Sequence, residues 1–235
     1  MRILQKAAEI GVVLTEAQAD AFQVYMDMLL SWNNRMNLTA VTNPDQVIIK
    51  HFIDSLTLLR LLPVNKPCRF IDAGTGAGFP GAPLAIAAPL LSVTLMDSRN
   101  KRLVFLNEVI KTLELKNAVT VHSRLEDAGR AKEHRESYEA VASRAVAHMN
   151  VLAEYCLPLT KPGGYFYAMK GPAGREEAYS AEHVINRFGG LIEGFEELTL
   201  YDSVANEHLR RTVLVIKKIR KTPAEYPRRA KRSDR

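Results

Sequence analysis

The apolar residues of the chain change their period once, near residue 68. Before it they recur at spacings of three and four. Phe22, Tyr25, Met26 and Leu29 make one stripe, which is the inner face of an amphipathic helix. Thr15 and Gln18 have the spacing of a capping box at its start, and Asn33-Asn34 marks its end. A second helix is predicted after Thr42-Asn43-Pro44, with Pro44 at the first helical position and Ile48, Phe52, Leu56 and Leu59 facing inward until Pro63 stops it. His51 and Asp54 fall beside that face, where a solvated flank and a functional position are both open readings. Residues 1–62 thus form an N-terminal helical extension.

From Cys68 onward short β-branched and aromatic runs alternate with helix-length segments. Cys68-Arg69-Phe70-Ile71, Leu91 to Met96, Val119 to His122, Tyr138 to Ala142 and Tyr165 to Met169 read as five strands. A short helix reaches about Ala88, and Lys101 to Leu113 fits another, with Leu103, Leu106 and Ile110 on one face. The end differs. Ile192 to Tyr201 and Thr212 to Ile219 are both strand-like with no room for a helix between them, so they should pair antiparallel. The expected fold is α/β and Rossmann-like, a mostly parallel sheet closed by an antiparallel hairpin. Its domain spans residues 63–219, and residues 220–235 form a basic C-terminal tail.

Composition narrows the picture. The 235 residues are 47% hydrophobic and 25% charged, as in an ordinary globular protein. Ala73 to Met96 carries no charge, yet its four glycines and three prolines exclude a membrane helix. Glu9 interrupts any leader-like apolar run, so a cytosolic location is expected. Cys68 and Cys156 stand far apart and read as reduced, buried thiols, and the six histidines show no metal-ligand spacing. No metal is expected. The net charge of +6 lies in the tail: residues 217–235 hold nine basic and two acidic side chains, net +7, which leaves −1 for the rest. With Pro223 and Pro227 interrupting it, that tail is expected to be a mobile or loosely docked arm, and cutting after Thr222 is expected to spare cofactor affinity.

The candidate chemistry sits in Asp72-Ala73-Gly74-Thr75-Gly76-Ala77-Gly78-Phe79-Pro80-Gly81, directly after the first strand. Alternating glycines let backbone N–H groups approach a ligand at a helix N-terminus, which suits a nucleoside-bearing cofactor. Gly76 to Gly81 is literally G-x-G-x-x-G, but Gly74 already makes the turn, two residues after an acid. Read from Asp72, the pattern is D-x-G-x-G-x-G, which resembles motif I of the S-adenosylmethionine (AdoMet) methyltransferases. Asp97 ends the second strand, where an acid can hold both ribose hydroxyls or cap the next helix. Leu125-Glu126 follows the third strand, at the level where such folds enclose the adenine; a plain helix-start acid is the other reading of Glu126. Arg144 and Lys170 end the fourth and fifth strands. Either could grip a ligand in the crevice that strand ends line, or form a salt bridge at the sheet edge, a role better suited to Lys170 than to Arg144 in its apolar run.

Taken together, Asn37-Leu38-Thr39, His51-Phe52-Ile53-Asp54-Ser55, Asp72 to Gly81, Asp97 to Arg102, Ser143-Arg144-Ala145 and Ala168 to Gly171 resemble the RsmG (GidB) family of 16S rRNA guanine-N7 methyltransferases. The resemblance covers nearly the whole chain. It implies an AdoMet-dependent enzyme of the class I methyltransferase fold, acting on a guanine in the decoding-region loop of 16S rRNA or the small ribosomal subunit; separately from the resemblance, a monomer is expected. Cofactor contacts would come from Gly74, Phe79, Leu125, Glu126 and Arg144, with Asp97 the ribose acid; Gly76 and Gly78 join them from the glycine loop itself. Two other classes stay open at this point. A nicotinamide oxidoreductase would fit the literal G-x-G-x-x-G and Asp97, and a non-catalytic RNA-binding module with a vestigial pocket would fit the basic tail.

Overall fold

A computed structural model describes residues 2–228. Seven strands form one sheet in the order β3-β2-β1-β4-β5-β7-β6: β1 Cys68–Ala73, β2 Leu91–Asp97, β3 Ala118–His122, β4 Tyr138–Arg144, β5 Thr160–Lys170, β6 Gly190–Asp202 and β7 Glu207–Lys218. β1 to β5 run parallel, and β7 is inserted antiparallel between β5 and β6. The expected closing hairpin is therefore present, with its second strand turned inward against β5.

Successive residues of the central strands point to opposite faces, and both faces are covered. Phe70 packs with Phe22, Tyr25, Leu29, Phe52 and Leu56 of the N-terminal helices. Its neighbour Ile71 packs on the other face with Met149 and Leu152 of α8 (Met149–Cys156) and with Ile185. The helical extension is thus one wall of the sheet's own core.

The first wall is built as its pattern requires. After α1 (Arg2–Glu9), α2 runs from Glu16 to Met36, with both hydrogen bonds of the Thr15–Gln18 capping box present. The Gln18 amide also donates to the Ile86 carbonyl at 3.0 Å, tying this start to the end of α5 (Gly81–Ala87). Beyond α2 the sequence reading needs correction. Residues 44–60 are helical, but not one α-helix: α3 (Pro44–Val47) opens into a π-turn over Ile48–Ile53, then α4 (Asp54–Leu56) and a tighter 3₁₀ turn, Thr57–Arg60. A π-turn widens the helix and re-aims the side chains that follow it, a device frequent at functional sites.

The other correction concerns the tail. Of the two expected states, mobile or loosely docked, residues 220–228 are docked, and more closely than expected: Thr222 is buried, and the Lys218 ammonium, fully enclosed, donates to the carbonyls of Leu157 and Phe188. Burial drives the Lys218 pKa down to about 7. The expected mobility of Arg229 to Arg235 falls outside the described residues. Cys68 and Cys156 are free and buried, and no described helix is long and apolar enough to cross a membrane.

Candidate cofactor and substrate site

All the parallel strands end at one edge of the sheet, and the loops that leave them enclose a cavity of about 630 Å³. The glycine loop forms its floor. Gly74, Gly76 and Gly78 take φ values of 80°, 61° and 106°, which an L-side chain rarely adopts. A Cβ on Gly76 would meet nothing within 4 Å, so the loop presents bare backbone to open space, a cradle for a ligand. Gly78 differs. It is buried away from the cavity, and a Cβ there would strike the Tyr25 hydroxyl. Of the expected cofactor contacts it is the one that does not line the cavity, and here Tyr25 of α2 donates to the Ala77 carbonyl at 2.5 Å and braces the loop from below.

Two acids set the loop's shape. Asp72 is completely buried, and its Oδ2 accepts from the Thr75 hydroxyl at 2.6 Å and the Gly81 N–H at 2.8 Å. Burial pushes its pKa up to about 6 despite those bonds. Its Oδ1 has no partner among the described residues. Asp97, at the end of β2, accepts from the Gly76 N–H (2.9 Å) and Arg102 (3.1 Å) on Oδ2, and from the Arg99 N–H (2.8 Å) on Oδ1. A carboxylate has about four acceptor positions, so capacity remains on the cavity side for a ribose hydroxyl. Asp97 does not cap α6 (Asn100–Thr112) with its side chain; it lies two residues before the cap position, Arg99.

Leu125 and Glu126, in α7 (Leu125–Ala128), line the same cavity, with Tyr155 of α8 beside them. Phe79 lines it too, stacked on His51 with ring centroids 4.5 Å apart. His51 is no solvated flank. Its Nε2 lies 2.7 Å from the Thr39 hydroxyl, and burial, reinforced by the Arg144 charge, lowers its pKa to about 3, so the ring is neutral at physiological pH. Asp54, the other residue expected on that flank, is 3% exposed.

Arg144 connects this cavity to a second one of about 540 Å³; His51, Arg144 and Ala145 line both. The guanidinium lies over the Phe79 ring, 5.1 Å from its centroid, and Nη1 donates to Asp54 Oδ2 (2.8 Å) and the Lys50 carbonyl (3.1 Å). Asp54 Oδ1 accepts from Arg211 Nε of β7 at 2.8 Å. The salt bridge considered less suited to Arg144 is therefore present, and it spans β4, the helical segment and β7. Nη2 faces only His51 Nδ1, at 3.4 Å, which leaves that edge able to serve an acceptor in the cavity. Lys170 lines the second cavity alone and is already engaged, donating at 2.8 Å to both the Ala147 carbonyl and Glu177. Among the described residues no group of three or more His, Cys, Asp or Glu side chains could hold a metal ion.

The strand order, the glycine loop after β1 and the acid after β2 define a Rossmann-like AdoMet-dependent methyltransferase. Solved structures agree on the fold: an O-methyltransferase of Thermotoga maritima superposes with a TM-score of 0.55 at 16% identity, covering 83% of this chain and 73% of that one. A 16S rRNA (adenine(1408)-N(1))-methyltransferase of Catenulisporales acidiphilia gives 0.53 at 13% identity, covering 67% and 88%.

Sequence comparison is more specific. Residues 18–195 match the GidB family, described as rRNA small subunit methyltransferase G, and the chain belongs to that family. Curated relatives named "Ribosomal RNA small subunit methyltransferase G" are 50% identical in Desulforamulus reducens, over 96% of this chain and 92% of the relative, and 46% identical in Lachnoclostridium phytofermentans, over 96% and 91%. The oxidoreductase and vestigial-pocket readings are not favoured by these relationships. Sequence reasoning missed Thr39, Tyr155 and Arg211 as site residues. Thr39 stands in the Asn37-Leu38-Thr39 motif but was given no role there; Tyr155 and Arg211 belong to no such motif, and only the fold brings them to the cavities.

Proposed function

We propose that the enzyme transfers the AdoMet methyl group to N7 of a guanine in the decoding-region loop of small-subunit rRNA. The observation that carries this reading is the pairing of a glycine-floored cofactor cavity with a second cavity across Arg144, with no poised general base at the junction. Bound in the first cavity, AdoMet would supply an electrophilic methyl on a sulfonium. Gly74, Gly76, Phe79, Asp97, Leu125, Glu126 and Arg144 would hold it, the ribose on Asp97 and the adenine between Leu125, Glu126 and Tyr155. Gly78 supports that cradle from behind.

Guanine N7 carries a lone pair and no proton, so its attack needs no proton acceptor. Neutral His51 fits such a reaction. It adds no positive charge beside a sulfonium or a methylated, cationic guanine. The task left to the protein is alignment, which in well-oriented systems supplies roughly 7–11 kcal/mol. Arg144, free at Nη2, would donate to guanine O6 while N7 stays open for attack, and Lys170 would contribute charge at the cavity wall. The same proposal includes the division into a helical extension (1–62), a methyltransferase domain (63–219) and a basic tail (220–235), a cytoplasmic location and a monomeric enzyme.

The test is incubation of small subunits and naked 16S rRNA lacking the modification with labelled AdoMet, followed by nucleoside analysis. N7-methylguanine is expected. Label on an exocyclic amine, a ribose or a pyrimidine carbon would overturn the reading.

A further inference from the structure

The tail segment makes more specific contacts than a charged extension needs. Arg130 and Arg135, just beyond α7, direct their guanidinium groups at its backbone. Arg130 Nε donates to the Pro227 carbonyl at 2.7 Å and its Nη2 to that of Glu225. Arg135 donates to the carbonyls of Tyr226 (2.7 Å), Thr222 (2.9 Å) and Pro223 (3.2 Å). Five main-chain carbonyls are thereby held by two side chains. Tyr226 sets its ring edge-on to Phe188 at 4.9 Å, and a Cβ on Gly129 would run into Pro227.

The segment ends on a buried charge. Glu154 of α8 is 5% exposed, and its oxygens take the Arg228 backbone N–H (2.8 Å), Nε (2.9 Å) and Nη2 (2.7 Å). Arg228 holds this carboxyl below the usual range. Arg228 covers that carboxylate while its own side chain is 77% exposed, so removing it would admit water to Glu154 and release the tie between the segment and α8. The next residue of α8 is Tyr155, which lines the cofactor cavity, and α7, immediately before Arg130, carries Leu125 and Glu126 of the same wall.

We propose that residues 220–228 are a strap that fixes the α7–α8 wall of the cofactor cavity, with Arg228, latched on Glu154, as a positioning residue for AdoMet binding. The inference rests on the cofactor assignment and not on which nucleotide is methylated. Coupling of this kind is reciprocal: if the strap orders the wall for the cofactor, the bound cofactor must stabilise the strap.

Two measurements test it on the full chain. In the parent protein, hydrogen exchange of the peptide covering residues 220–228 should slow when AdoMet is added. By calorimetry, Arg228→Ala should weaken AdoMet binding by about five- to tenfold, in the usual range of such couplings, with partial recovery in Arg228→Lys. Glu154→Gln, which keeps the side-chain volume, should weaken it in the same direction. Unchanged strap exchange on adding AdoMet, with parental affinity in Arg228→Ala, would overturn the proposal and leave the strap a brace of the fold alone. Failure of the rRNA assay would not affect these readings, since neither measurement uses RNA.

Discussion

The two cavities that meet at Arg144 are made of different material. The first is floored by main chain: glycines at positive φ, a helix start and an acid that ties loop to strand. The second is walled by charged side chains, with Lys50, Asp54, Lys170 and Arg211 converging from four separate elements. A backbone cradle tolerates little change in shape but needs few residues. A charged wall tolerates changes of shape better than changes of charge, because removing one partner leaves another buried and unpaired.

The largest effects should come from attacking the cradle. In Gly74→Val the new side chain would enter a position where a Cβ already lies 2.6 Å from Val146 Cγ2, at a φ of 80°. Asp97→Ala would release the Gly76 and Arg99 N–H groups together. Calorimetry should find AdoMet binding weakened by roughly 10- to 100-fold in Asp97→Ala, and more in Gly74→Val, with both proteins still folded. Parental affinity in Asp97→Ala would mean that the cofactor lies elsewhere.

Charge in the second wall should matter next. Asp54→Asn leaves Arg144 and Arg211 without their shared carboxylate, and urea unfolding should register a loss of about 3 kcal/mol. Methyl transfer should fall further than AdoMet affinity, because Asp54 lines only the second cavity. Equal losses in both would erase the distinction between the cavities.

A smaller effect lies in pH. His51, held near 3 when folded against 6.5 when free, binds its proton only in the unfolded chain between those values, so its contribution to stability is lost as pH falls below 6.5. Asp72 is opposite in sign. With a folded pKa of about 6 against 3.8, it favours the folded state at low pH, and that contribution is lost as pH rises from 3.8 through 6. Both titrations are largely complete by about pH 7.5. Urea midpoints between about pH 7.5 and 9 should therefore follow Lys218 alone of the three, whose folded pKa of about 7 against 10.5 makes stability rise with pH there, and the methyl-transfer rate should lack the limb of an ionising catalytic base.

The smallest effect is expected from the residues beyond the strap. Truncation after Thr222 would remove the strap as well, so the unchanged cofactor affinity that composition suggests does not carry over to that cut. Ending the chain at Arg228 leaves the strap and removes four basic residues, Arg229, Lys231, Arg232 and Arg235, with one acid, Asp234. AdoMet affinity should hold, while RNA binding weakens and its log–log salt slope becomes shallower by roughly 0.7 to 0.9 for each phosphate no longer neutralised. An unchanged slope would assign RNA binding to the folded domain.

The contrast between the cavities also separates what the sequence revealed from what it concealed. The cradle was legible because Asp72 to Gly81 and Asp97 are short spacings tied to strand ends, where local geometry decides the chemistry. The sheet was legible for the same reason, through the change of period at Cys68 and the missing helix before Thr212. The Arg144–Asp54–Arg211 bridge was not, since its members are 90 and 157 residues from Asp54 along the chain. Nor was the π-turn, whose residues keep an ordinary helical pattern. The tail was misjudged because its composition was weighed alone, whereas Arg130, Arg135 and Glu154 come from elsewhere and supply the partners it lacks.

The last strand among the described residues stands inside the sheet. β7 hydrogen-bonds to β5 through Tyr165–Lys170 and to β6 along almost its whole length, so it joins the two. A premature stop between Asp202 and Glu207 would therefore do more than shorten the protein. It would strip β5 along its whole open side, expose backbone donors beside Phe166 and Ala168, and leave β6 with no strand to pair with, an aggregation-prone template rather than a smaller enzyme. Nonsense and frameshift alleles that remove β7 should behave as complete losses of the folded protein.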